Sequence, residues 1–286
     1  MVKQIVLKLA ITAARVLPAP VKRGIYRVEP LARLVRGTLN RAAPAAPAEV
    51  TIAAGGASGF KMRLDLHLEK DYWLGTYETD LQAAVADLIQ PGWTVYDVGA
   101  NIGYVTLILA KKTAPDGRIF AFEALPANLE RLRAHVTMNG LAPRVTVVPK
   151  AVTDASGTVR FLVGPSGAMG KAEGSAGRKG VHRESIEVPA VSLDDFIYRE
   201  GNPPPQAVKM DIEGGEVLAL RGTTRLLTEH PPLILLELHG PEAARAAWDA
   251  LTAAGYTLHR MERGYPRIPS LDALDWKAYV VGMPNS

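Results

Sequence analysis

The chain has 286 residues, 48% hydrophobic and 22% charged, the balance of a globular protein with a sizeable core in one large or two small domains. It has no cysteine, which excludes disulfides, thiol chemistry and Cys-type zinc sites and leaves Asp, Glu, His and backbone oxygens as metal ligands. Net charge is +4, unevenly spread: residues 1–41 carry nine Lys/Arg and one Glu, the rest 24 basic and 28 acidic residues. A basic arm on a mildly acidic body suits an acidic partner surface, such as anionic lipid or nucleic acid.

In the arm, Lys8 and Arg15 interrupt the apolar run, which falls short of the ~20 apolar residues a membrane span needs. The same charges spoil a signal-peptide core, and no A-x-A cleavage site follows. The expectation is a protein without export signal or span, cytoplasmic, with membrane association through the arm as a variant. Apolar and basic residues alternate at helical spacing. That fits an interfacial helix, or an amphipathic helix packed on its own body or on a second subunit, the commoner use. Ala42–Glu49 (AAPAAPAE) reads as an Ala/Pro linker. The expected division is therefore an arm and linker over 1–48 and a body over 49–286.

Val50–Ala53 and Phe60–Leu66 read as strands around a Gly-rich turn, and Tyr77–Ile89 as a helix stopped by Pro91-Gly92. From there strands and helices alternate, the pattern of a doubly wound α/β sheet. The strands are Thr94–Val98, Arg118–Phe122 and Val145–Val148, with helices over Ile102–Lys112 and Ala127–Asn139. Thr158–Val163 and Ser185–Val188 read as strands flanking GPSGAMGKAEGSAGRKG, a mobile surface loop by composition. Its Gly-Lys pair lacks P-loop spacing and the following Ser/Thr, so an NTPase reading is rejected. A capped helix from Ser192 to Tyr198, a strand Ala207–Met210 and a helix Val217–Leu227 follow. Then come an apolar strand Leu233–Leu238, a helix Glu242–Ala254, and strands Thr257–Met261 and Ala278–Val281.

The segment VYDVGANIGYVTLILA, Val95–Ala110, carries the chemistry. A strand ends at Asp97; Gly99 and Gly103 frame a tight turn; a helix follows. The second strand ends at Glu123, where a carboxylate is placed to accept ribose hydroxyls. The glycines are spaced G-x-x-x-G, not the G-x-G-x-x-G of dinucleotide sites. A diphosphate at the helix start would meet a repelling Asp97, whereas S-adenosylmethionine (SAM) brings a cationic sulfonium and ammonium. SAM is the ligand these residues favour over NAD.

The residues resemble the FkbM-type methyltransferases, SAM enzymes of class I, over about Phe60–Arg260. YDVGANIGYVTL, VKMDIEGGEVLALRG and LLELHG carry the resemblance. It implies an α/β Rossmann-like sheet of seven mostly parallel strands, the last antiparallel, with helices on both faces. It also implies SAM contacts at Asp97, Gly99, Asn101, Gly103 and Glu123. Tyr72–Glu78 matches a region that covers the cofactor and adds Glu78. The implied reaction is methyl transfer, most often to a hydroxyl of a sugar, glycan or natural product, with no nucleic-acid partner. N-methylation of an amide or amine, and a non-catalytic SAM- or nucleotide-binding module, are the alternatives.

Ligands in such sheets gather at the carboxyl ends of the strands, where Asp211, Glu213, Glu237 and His239 also fall. Methyl transfer is in-line displacement, so the protein aligns the reactants and removes the acceptor proton. His239 is a general base by its ordinary pKa of ~6.5. Alternatively Asp211 with Glu237 or His239 holds a hard divalent cation such as Mg²⁺. Glu216 reads as a helix-start carboxylate.

Overall fold

The computed structural model describes residues 2–17, 29–164, 170–176, 184–275 and 277–285. The chain divides into two compact units, Met1–Gln82 and Ala83–Ser286. The division falls inside helix α4 (Thr79–Leu88).

In the first unit the arm forms two helices, α1 (Val2–Val16) and α2 (Glu29–Ala42), among its described residues. The Ala/Pro stretch is not a loose linker. Ala42 and Ala43 are buried, Pro44 O lies 3.1 Å from His67 Nε2, and strand β1 (Ala48–Thr51) already starts inside it. It pairs antiparallel with β2 (Lys61–Leu64). A short helix α3 (Lys70–Leu74) buries Trp73 and Leu74. Gly75 follows with φ 73, and a Cβ there would lie 2.0 Å from Ala54 O, so only glycine fits. Gln82 ties this corner together, accepting from Gly56 N at 2.8 Å and donating to Gly75 O at 3.3 Å.

The second unit holds a seven-stranded sheet. Its strands are β3 (Thr94–Val98), β4 (Arg118–Phe122), β5 (Val145–Val148), β10 (Ala207–Met210), β11 (Leu233–Glu237), β12 (Tyr256–Arg260) and β13 (Tyr279–Pro284). Their order is β12-β13-β11-β10-β3-β4-β5. Only the last strand, β13, runs antiparallel to its neighbours. Strand β10 lies at the centre, with all four residues buried, as a strand covered on both faces must be. The expected seven-stranded sheet with a reversed last strand is therefore present. Helices α5 (Tyr104–Lys112) and α6 (Pro126–Met138) make the first two crossovers.

Two segments depart from the sequence reading. The insert is a second sheet rather than two strands around a loop. Strands β6 (Ala151–Val152), β7 (Gly157–Val163), β8 (Gly170–Ala172) and β9 (Glu184–Val191) pair in the order β6-β9-β7-β8. Strand β8 lies inside the Gly/Ser/Lys segment, paired with β7 from Phe161↔Ala172 to Val163↔Gly170. Residues 165–169 and 177–183 of that loop lie outside the described residues. Long-range pairing overrides local composition here.

The helix expected over Val217–Leu227 is two, α8 (Glu216–Arg221) and α9 (Thr224–Glu229). A Cβ on Gly222 would lie 2.4 Å from Thr153 O, so the backbone turns there against the start of the insert. Asp194, in the helix α7 (Leu193–Tyr198) that Ser192 caps, then accepts from Arg225 N and Leu226 N at 2.9 and 2.8 Å. Its carboxylate caps α9 from another element.

Candidate active site

The carboxyl edge of β3 and β4 forms the first half of the site. Gly99 has φ 79, and a Cβ there would lie 1.9 Å from Asp211 O. Gly103 has φ 93, and its Cβ would meet Leu132 Cδ1 at 2.6 Å. Gly99 is thus required by packing against the Asp211 backbone, whereas at Gly103 the left-handed backbone is the constraint, since the Leu132 methyl can shift. Gly99 N and Ala100 N donate to Phe122 O at 3.1 and 2.9 Å, and Asn101 N donates to Glu123 Oε2 at 2.8 Å.

Glu123 is the junction between the turn and β4. Its Oε1 accepts from Ala124 N at 2.9 Å and Leu125 N at 2.8 Å. Burial pushes its pKa up, while the backbone donors Leu125, Ala124 and Asn101 and the Asn128 side chain pull it back. A carboxylate offers about four lone-pair positions, and these four donors already occupy them, so a ribose hydroxyl binds Glu123 only in exchange for one of them.

Asp97 does not play the part that charge complementarity assigned to it. It is fully buried. Its Oδ2 accepts from Thr106 Oγ1 at 2.6 Å, and its Oδ1 forms an ion pair with Lys209 Nζ at 3.2 Å, outside hydrogen-bond geometry. The carboxylate charge is met by Lys209, inside the protein, rather than offered to a cationic ligand. Asp97 holds the turn from beneath.

The second half lies at the ends of β10 and β11. His239 Nε2 faces three carboxylate oxygens: Glu237 Oε1 at 3.6 Å, Asp211 Oδ1 at 3.8 Å and Glu213 Oε2 at 3.8 Å. Its Nδ1 lies 3.0 Å from Glu216 Oε1 and donates to it. Asp211, Glu237 and His239 offer ligand atoms within 4.8 Å of one another. Atoms ~2.0–2.2 Å from one ion are roughly 3.0–3.6 Å apart at octahedral to tetrahedral angles. The His239–Glu237 and His239–Asp211 separations lie at or just above that range.

Sequence reasoning missed two members of this group. Glu216 does open α8, as expected, but is also fully buried, its Oε1 accepting from Ile212 N at 3.1 Å. Lys209 is buried between Asp97 and Asp211. A carboxylate and a lysine inside apolar surroundings at motif spacing are the signal that could have found them, since such groups stay buried only when paired.

His239 is also corrected. Burial works against its charge, but Glu216, by hydrogen bond and by charge, then Asp211 and Glu237, outweigh burial and raise its pKa to about 9. A ring drawn toward its protonated form by these carboxylates has its Nε2 lone pair less available to a substrate proton than its ordinary pKa suggests, and a cation held among the same carboxylates would have to displace that proton.

Four non-glycine residues take positive φ among the described residues, and three are candidates named from sequence: Glu78 (45), Asn101 (50) and Glu213 (54). Such backbone costs of order 1–3 kcal/mol and collects at functional sites. Glu78 stands in the first unit, before the helix at Thr79, and its carbonyl accepts from Gln82 N at 3.0 Å.

Residues 97–258, more than half of the chain, match the family described as Methyltransferase FkbM domain. The chain belongs to the FkbM methyltransferase family. This FkbM-family chain is 27% identical over 187 residues to the hexuronic acid methyltransferase AglP of Haloferax volcanii, covering 64% of this chain and 72% of AglP. It is 28% identical over 182 residues to the 31-O-demethyl-FK506 methyltransferase FkbM of Streptomyces tacrolimicus, covering 54% and 69%. The solved FkbM methyltransferase of Methylobacillus flagellatus aligns with 91% of this chain at 18% identity and a TM-score of 0.46. The chain spans 61% of that structure's length, and the similarity is too low to weigh on the fold, which stands on its own strand order. The family makes the chain a SAM-dependent methyltransferase, and the turn between β3 and α5 with Glu123 fits that cofactor.

Proposed function

We propose that the chain transfers the methyl of SAM to a hydroxyl oxygen of a sugar, glycan or natural-product acceptor. The observation that carries this reading is the convergence of Asp211, Glu213 and Glu237 on Nε2 of His239 at the carboxyl edge of β10 and β11. A hydroxyl is a weak nucleophile, and this edge concentrates the groups that orient and deprotonate one. The name of one relative, a 31-O-demethyl-FK506 methyltransferase, supports an oxygen over an amine, and that of the other, a hexuronic acid methyltransferase, supports a sugar acceptor.

In this reading Glu123 accepts the ribose hydroxyls of SAM in exchange for part of its present donor set, with the main chain of Gly99, Asn101 and Gly103 as further cofactor contacts. Asp211, Glu237 and His239 hold a divalent cation, which supplies Lewis-acid polarisation of the acceptor oxygens when bound. Glu216 holds Nδ1 of His239 so that Nε2 points at the ligand group, the usual outer partner of a metal-bound imidazole. Glu213, nearly half exposed at its side chain, faces the acceptor.

Calorimetry with SAM and with NAD, then incubation with SAM and a panel of hexuronic acids, hydroxylated macrolides and amines, tests this. A mass gain of one methylene on a hydroxylated acceptor is expected, strengthened by added Mg²⁺ or Mn²⁺. Methylation of the amines alone, or no SAM binding, overturns it.

For the arm we propose peripheral contact with an anionic lipid surface. Helix α1 exposes Ile5, Leu9 and Val16, one face at helical spacing, in the segment with the excess of Lys/Arg. No helix among the described residues is long and apolar enough to cross a membrane. Salt-sensitive sedimentation with phosphatidylserine vesicles is expected of the full chain and not of a chain starting at Glu49. A dimer that ignores vesicles overturns it.

A further inference from the structure

Lys209 sits in the central strand with 3% of its surface exposed. An ammonium there is costly unless its charge is met. Two carboxylates meet it, Asp97 Oδ1 at 3.2 Å and Asp211 Oδ2 at 3.9 Å. Neutralising Asp97 does not explain the rest of the geometry. Lys209 Nζ donates a hydrogen bond to Gly99 O at 2.9 Å, whereas its approach to Asp97 Oδ1 is an ion pair without hydrogen-bond alignment.

The reach follows from register. Strands β10 and β3 pair in parallel with Lys209 opposite Asp97, and Gly99 lies two residues further on. The chain of Asp211, two residues beyond Lys209, is fixed from the other side. Its N donates to Val98 O at 3.1 Å, and its carbonyl occupies the space a Gly99 Cβ would need. The peptide after Gly99 leads directly to Ala100 N and Asn101 N, which bind Phe122 O and Glu123 Oε2.

We propose that Lys209 is a positioning residue: by holding the Gly99 carbonyl it sets the cofactor turn and Glu123 in register with Asp211 before cofactor arrives. The proposal rests on reading that turn as the SAM site. One buried cation thereby links the donor half of the site to the acceptor half, so the reacting atoms meet at a distance fixed by the sheet.

The test uses S-adenosylhomocysteine (SAH) binding by calorimetry, alongside thermal melting. The Lys209→Met/Asp97→Asn variant removes both buried charges together and strands neither. It should melt near the parent yet bind SAH about tenfold or more weakly, because the turn is unpinned. Lys209→Arg keeps the charge but not a single donor at that point, and should also lose about tenfold. If either folded variant binds SAH within about twofold of the parent, the residue is structural and the proposal fails.

Amide exchange on the unaltered protein supplies a readout that needs no variant. Ala100 and Asn101 should be protected without SAH; free exchange until SAH arrives overturns a preset turn. Absence of SAH binding by the parent would instead remove the cofactor reading on which the proposal stands.

Discussion

His239 Nδ1 lies 3.0 Å from Glu216 Oε1, a carboxylate with no solvent exposure. The ring is therefore oriented from within the protein, and Nε2 is the atom left to face Asp211, Glu213 and Glu237. Replacing Glu216 with Gln keeps the shape and removes the charge. Outer partners of metal-bound histidines are worth about 10–100-fold in metal affinity. We expect Glu216→Gln to weaken Mn²⁺ binding by about tenfold or more, read by paramagnetic resonance, with SAH affinity unchanged. A variant that binds Mn²⁺ like the parent would separate Glu216 from any metal role.

Chelation gives a second check on the same group. With a chelator present, turnover on a hydroxylated acceptor should fall to background and return on adding Mn²⁺ or Mg²⁺, while calorimetric SAH binding persists. Full turnover in chelator would return proton removal to the protein's own side chains.

Gly99 and Gly92 share a positive φ, 79 and 81, but differ in surroundings. A Cβ at Gly92 meets nothing within 4 Å, whereas one at Gly99 would strike Asp211 O. Gly92→Ala should cost the left-handed strain alone, about 1–2 kcal/mol. Gly99→Ala should cost clearly more and weaken SAH binding by about tenfold or more, as the turn is displaced. Melting curves and calorimetry on the two variants decide it; equal melting temperatures would contradict the packing account.

Glu123 carries a pKa raised chiefly by burial. A raised folded-state value means the fold holds the proton more tightly than the unfolded chain does. Stability from this group is then greatest at low pH and declines as pH rises through the raised pKa. Compared with Glu123→Gln, the parent should gain stability as pH falls from neutrality, while its SAH affinity drops because a protonated carboxyl accepts less. The Gln variant should show weak SAH binding with no such pH dependence. Affinity of the parent that is flat down to pH ~4.3, the ordinary glutamate value, would discard the ribose role.

Asp194 caps α9 from α7, with both oxygens on backbone N–H groups of Arg225 and Leu226. Asp194→Ala should lower stability by about 1–2 kcal/mol without altering SAH affinity. A loss of SAH binding would show that the break between α8 and α9 reaches the site.

The strand ends were legible because local signals made them so. Short, nearly continuous apolar runs closed by Asp97, Glu123, Asp211 and Glu237 mark where strands stop, and turn glycines mark where helices start. All four carboxylates fall on one sheet edge as expected. The roles of the two glutamates in DIEGGE were not legible. Glu213 sits at φ 54 and is exposed, and Glu216 opens α8 fully buried. A turn of a few residues decides which carboxylate faces inward, and its conformation is set by packing, not by composition.

The sequence by itself determined the alternating β/α order, the reversed final strand through its family resemblance, and the turn that separates a SAM site from a dinucleotide site. Hydrophobic period, capping and turn chemistry act over a few residues, so one chain suffices to read them. The tertiary structure alone decided what each buried charge faces. Lys209 reaches a carbonyl 110 positions away, and Glu216 meets a histidine 23 positions on. It also turned a Gly/Ser/Lys segment into strand β8. Those outcomes depend on which strands lie side by side, and burial without a partner costs more than any local preference can offset.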